Sequence, residues 1–82
     1  MRVLYFAWLR EKIAVSEEEI AGDGLGTVTD LIEALREKSD RHAAAFADVS
    51  AIKAAVNQKV VAHDAPLNDA EEVAFFPPMT GG

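Results

Sequence analysis

The sequence predicts a small α+β fold, one sheet with a main helix packed on one face. Three observations predict it. Residues 2 to 9, Arg-Val-Leu-Tyr-Phe-Ala-Trp-Leu, are strand formers that are apolar on both alternating faces. At Thr27 the apolar period changes from that of a strand to that of a helix. Strand character then returns around Asn57-Gln58 and again in Glu71-Glu-Val-Ala-Phe-Phe-Pro-Pro. Two strands, a crossover helix and further strands stack as one layer of sheet and one of helix.

In the first strand Val3, Tyr5 and Ala7 point one way, and Leu4, Phe6 and Trp8 the other. Such a strand belongs inside the sheet, beside the last one. In so short a chain a single helix covers one face, so the other face awaits a partner. Arg10 to Ala14 forms one helical turn. Val15-Ser-Glu-Glu-Glu-Ile-Ala reads as a second strand with an acidic, solvated middle, and Glu17 to Glu19 as surface. Gly22, Gly24 and Gly26 alternate with Asp23 and Leu25 as in a phosphate-cradling loop, but no Lys-Ser/Thr follows, so the segment is a turn.

Val28, Leu31, Ile32 and Leu35 share one helical face. Thr27 is placed to cap this helix, with Asp30 completing a capping box, and Ser39 and Asp40 end it. His42-Ala-Ala-Ala-Phe-Ala is a second short helix anchored by Phe46. Ile52 to Val61 is a hairpin about Asn57-Gln58, Asp64-Ala-Pro-Leu-Asn-Asp is a turn, and two prolines stop the final strand.

A chain of 82 residues buries only ~60 to 65% of its unfolded surface, which allows one core and disfavours an enzyme with its own deep active site. The 14 acidic against 8 basic residues repel a phosphate backbone, so no nucleic-acid partner is expected. The acidity serves solubility, or steers the chain toward a basic protein surface. The longest apolar run, Val3 to Leu9, is far short of the ~20 residues of a membrane span. With no signal-peptide pattern before it, no membrane and a cytoplasmic location are expected. The absence of cysteine excludes disulfides, a thiolate nucleophile and a Cys-based zinc site. His42 and His63, the only histidines, lack a second ligand at helical spacing; surface or loop roles and no metal are expected.

The end of the chain is more informative. Pro77 and Pro78 have fixed φ and no N–H donor, so the segment after Phe76 cannot go on pairing in the sheet and must project outward. Met79 and Thr80 lead to Gly81 and Gly82, which lack Cβ atoms. Such an end can pass through a narrow channel and bring its carboxylate against another protein's catalytic groups. The expected organisation is a domain over 1–77 and a flexible tail over 78–82.

Glu72-Val-Ala-Phe-Phe-Pro-Pro-Met-Thr-Gly-Gly resembles the ending of the small subunits of molybdopterin synthase. Val3-Leu-Tyr-Phe-Ala with Arg10-Glu11, and Ala55-Val-Asn-Gln with Pro66-Leu67, extend the resemblance over essentially the whole chain. Two departures are Ala70, where the family often has Gly, and the bulk of Trp8. The resemblance implies a ubiquitin-like β-grasp fold with a mixed sheet, one main helix and an extended tail. It implies that an E1-like enzyme uses ATP to adenylate Gly82, and that sulfur from a persulfide donor converts it to a thiocarboxylate. The tail then enters the synthase large subunit, which supplies the catalytic groups and passes sulfur to cyclic pyranopterin monophosphate, building the molybdopterin dithiolene. The chain would be a non-catalytic subunit and co-substrate in a heterotetramer, with no cofactor of its own.

The resemblance also implies docking through Phe6, Val60 and Phe76, to which strand alternation adds Trp8. The alternatives are a sulfur carrier for thiamine or tRNA thiolation, a ubiquitin-like modifier joined to a target lysine, and an interaction module with an inert tail.

Overall fold

The computed structural model describes residues 1–78. The order is β1 (Arg2–Tyr5), α1 (Trp8–Ile13), β2 (Glu17–Glu19), α2 (Val28–Arg36), α3 (Asp40–Ala45), a 3₁₀ turn (Val49–Ala51), β3 (Lys53–Val56), β4 (Lys59–Val61) and β5 (Glu72–Phe76). The five strands form one sheet in the order β2-β1-β5-β3-β4. β1 and β5 are parallel, whereas β1–β2, β3–β4 and β3–β5 are antiparallel. The first strand does lie inside the sheet beside the last, in the mixed α+β arrangement expected of a β-grasp fold.

β1 is shorter than its apolar run. The chain leaves the strand after Tyr5, and Ala7 takes φ 56° and ψ −133° just before α1. Trp8 and Leu9 therefore belong to a helix, because burying Leu9 and Ile13 on one helical face outweighs the strand propensity of the run. The expected turn at Arg10 to Ala14 is the later part of this helix. It ends at Ala14 in the left-handed region, φ 74°.

α2 begins as the sequence indicates. Thr27 Oγ1 accepts from the Asp30 N–H and Asp30 Oδ2 accepts from the Thr27 N–H, a complete capping box. The helix ends at Arg36, earlier than expected, and Ser39 instead caps α3. The Asn57-Gln58 turn has positive φ at both residues, 49° and 71°, as a two-residue hairpin of right-handed twist requires. Asn57 Oδ1 also accepts from the Glu71 and Glu72 N–H groups, fastening the hairpin to the start of β5. At the Ala70 departure, Asn68 and Asp69 take positive φ, 45° and 56°, and Ala70 is buried against the core.

The core lies between the sheet and the helices. Val3, Tyr5, Ala54, Val73 and Phe75 from the sheet meet Leu9, Ile13, Val28, Leu31, Ile32, Leu35 and Phe46. Two expectations fail here. His42 is not a surface residue but 6% exposed on α3. Glu18 is not simply surface either: it is half-buried and hydrogen-bonds Tyr5 and His42 on the covered side, because β2 alternates Glu17 and Glu19 outward with Glu18 inward.

Candidate functional site

Strand register defines the uncovered face of the sheet. Leu4 pairs with Ala74, Ala74 with Ala55, and Ala55 with Val60, which sets these four side chains in one row across β1, β5, β3 and β4. The first three lie one position from a buried neighbour, as pleating demands: Val3 and Tyr5 flank Leu4, Val73 and Phe75 flank Ala74, and Ala54 precedes Ala55. The next row toward the tail holds Phe76 in register with Lys53. Phe6 continues the alternation of β1, and its N–H donates to the Phe75 carbonyl at 3.1 Å.

The strip is apolar and open. Phe6 is 45% exposed and Val60 64%, and Phe76 is half-buried. Large exposed apolar side chains on one surface mark a protein-binding face more often than a small-molecule site. At the opposite end of the same face the charges satisfy one another. Arg2 donates to Glu72 at 2.7 Å and lies 4.0 Å from Glu17, and the N-terminal ammonium meets Glu19 at 3.2 Å. The apolar end thus adjoins the exit of the tail, and the charged end lies away from it.

Of the expected docking residues, Phe6, Val60 and Phe76 are gathered on this face. Trp8 is not, because it opens α1; its ring packs partly buried against the core, with the Lys12 ammonium 5.9 Å from the ring centroid. Leu4, Ala55 and Ala74 complete the strip and were not singled out in the sequence. Leu4, which alternation sets on the side of Phe6, and Ala74, two residues before Phe76 in a strand, carried a local signal for this face; Ala55 did not.

β5 is the central strand, held by β1 on one side and β3 on the other, and so gives the tail a fixed root. Pro77 is half-buried and Pro78 exposed directly beyond it. Met79, Thr80, Gly81 and Gly82 lie outside the described residues. Among the described residues no three histidine or carboxylate side chains gather as a metal site, and no helix is long and apolar enough to cross a membrane.

Comparison with known proteins gives a consistent result. The ThiS family profile matches residues 3–82. The molybdopterin synthase sulfur carrier subunit of Escherichia coli is 46% identical over 82 residues, covering all of this chain and 99% of that protein. The Haemophilus influenzae protein of the same name is 34% identical over the same span, with the same coverage. Among solved structures, a putative molybdopterin converting factor subunit 1 from Pyrococcus furiosus superposes with a TM-score of 0.75 at 34% identity, over 95% of each chain. SAMP1 from Haloferax volcanii gives 0.74 at 26% identity, over 100% of this chain and 98% of that one. The fold is that of these ubiquitin-like β-grasp proteins.

Proposed function

The chain belongs to the ThiS family, and from that membership we propose that it is the sulfur carrier subunit of a molybdopterin synthase, a co-substrate whose reactive group is the Gly82 carboxylate. The observation that carries this reading is the match to the E. coli carrier, 46% identical and spanning the whole of this chain, tail included.

The chemistry explains why such a chain needs partners. A carboxylate is a poor electrophile with a poor leaving group. In the proposed cycle an E1-like enzyme joins the Gly82 carboxylate to the α-phosphate of ATP, and pyrophosphate leaves. A persulfide sulfur then attacks the acyl carbon, AMP leaves, and a thiol reduces the S–S bond to free the thiocarboxylate. That sulfur is the nucleophile delivered to cyclic pyranopterin monophosphate in the large subunit, where acid, base and charge stabilisation are supplied. ATP is consumed by the adenylating partner, and the carrier holds no cofactor.

Each part of this chain then has a physical task. Pro77 and Pro78 direct the segment away from the sheet, and Gly81 and Gly82 keep it thin enough for a narrow channel. Phe6, Val60 and Phe76 seat the domain on a partner, each contributing ~1.5 to 3 kcal/mol of apolar burial before ordering costs. The absence of cysteine leaves no internal thiol to compete for persulfide sulfur. Two small and two large subunits make the expected assembly, and ATP-dependent loading places it in the cytoplasm.

Intact mass after incubation with the adenylating enzyme, ATP and a sulfur donor tests the reading. One oxygen replaced by sulfur, lost on deletion of Gly82, is the expected result. An unchanged mass with a competent enzyme overturns it. Conjugates in cell extract that vanish without Gly82 would instead identify a protein modifier.

A further inference from the structure

The covered side of the sheet holds a polar cluster that sulfur delivery does not use. Glu18 of β2 is its centre, with its side chain 17% exposed. Tyr5 O–H donates to Glu18 Oε2 at 2.7 Å, and His42 Nε2 meets the same oxygen at 2.6 Å. Lys38 Nζ lies 3.6 Å from Oε1. Ser39 Oγ lies 2.7 Å from His42 Nδ1 and accepts from the His42 N–H, so the residue that caps α3 also orients the imidazole. Facing Glu18 are therefore Tyr5 from β1, Lys38 from the link after α2, and His42 from α3. The charged residues of α1 (Arg10, Glu11, Lys12) and those closing α2 (Glu33, Arg36, Glu37) make no hydrogen bond or ion pair with it.

The cluster is joined to the strand that carries the tail. Tyr5 stacks on Phe75 at 6.5 Å between centroids, Phe46 meets Phe75 edge-on at 5.1 Å, and Tyr5 meets both Phe46 and His42 edge-on. Phe75 and Phe46 are fully buried. Phe46 follows α3 directly, and a helix of six residues has no stability of its own, so its place depends on packing and on the link to Glu18.

We propose that Glu18 and His42 form a proton-sensitive latch that fastens α3 over the aromatic support of β5, so that acid loosens the strand from which the tail leaves. Ser39 and Glu18 hold the His42 ring from its two nitrogens. Nε2 donates to Glu18 in both the cation and one neutral tautomer, and the Ser39 hydroxyl can accept from Nδ1 or donate to it. Glu18 is the sensitive member, because its negative charge strengthens both bonds to Oε2 and attracts Lys38.

The sign of the pH effect follows. Burial alone would raise the Glu18 pKa, but hydrogen bonds from His42 and Tyr5, with the attraction of His42 and Lys38, hold it below the ordinary 4.5. The stability it contributes is full above the ordinary value and is lost as pH falls through the lowered, folded-state value.

Amide exchange of the intact chain between pH 3 and 7, corrected for intrinsic rates, tests the latch with no partner present. It therefore stands or falls apart from the carrier reading. In the wild type, Phe46 and Phe75 amides should exchange ~10-fold faster once Glu18 is protonated, the scale of one lost hydrogen bond to a charged group. Glu18→Gln should show the faster exchange throughout, without the acid step. Should Glu18→Gln fail to fold, Tyr5→Phe keeps the carboxylate but removes one donor, and should move the acid step to higher pH. Parallel profiles in the wild type and Glu18→Gln would overturn the proposal. So would an unmoved step in Tyr5→Phe, or an acid response confined to Phe46 that leaves Phe75 unchanged.

Discussion

On the covered face of the sheet Val3, Tyr5, Ala54, Val73 and Phe75 are buried beneath the helices. One residue along the same strands, Leu4, Ala74 and Phe76, with Phe6 and Val60 and with Ala55, itself 8% exposed, between them, lie on a face that no helix among the described residues covers. Both sets are apolar, so hydrophobicity alone does not tell them apart. They differ in what removes them from water: for the first set it is folding, for the second, in the proposed function, association. A substitution on the first face should therefore be read in stability, and one on the second in binding.

The sharpest break of this contrast is Phe75→Ala. Its ring touches both Tyr5 and Phe46, so truncation should cost ~3 to 5 kcal/mol of stability, enough to unfold much of so small a domain. Chemical denaturation measures it; a loss under 1 kcal/mol would mean that the aromatic cluster is not the support described above. Phe6→Asp should do the reverse. The variant should remain a folded monomer by circular dichroism while affinity for the synthase large subunit falls ~100-fold or more, the scale of one central interface anchor. Unfolding of Phe6→Asp would place Phe6 in the core instead.

Two smaller changes sharpen the comparison by touching the helix layer alone. Thr27→Ala removes half of the capping box and should cost about 1 kcal/mol, with partner affinity unchanged. Ala14→Gly relieves a left-handed residue at the end of α1 and should stabilise by ~0.5 to 1 kcal/mol, raising Tm by a few degrees. Calorimetry alongside a binding titration separates the readouts, and any change in affinity from either variant would show that the faces are coupled.

Much of this protein was legible in its sequence. The face Val28, Leu31, Ile32 and Leu35 with its Thr27 cap, the hairpin at Asn57-Gln58, and the prolines after Phe76 all act through neighbours a few positions away, and local chemistry determines them. The resemblance of the residue 72–82 segment pointed to the sulfur carriers for the same reason, as the motif is contiguous. What tertiary structure decided depends on residues far apart in the chain. Trp8 reads as strand by propensity, yet the buried side of α1 claims Leu9 and Ile13 and turns the chain at Ala7. Glu18 and His42 each look like surface, and only the pairing of β2 with β1 beneath α3 buries His42, half-buries Glu18 and gives each the other as partner. The docking row behaves likewise: Leu4, Ala55, Ala74 and Val60 become neighbours only through the register of four strands, which no single segment encodes.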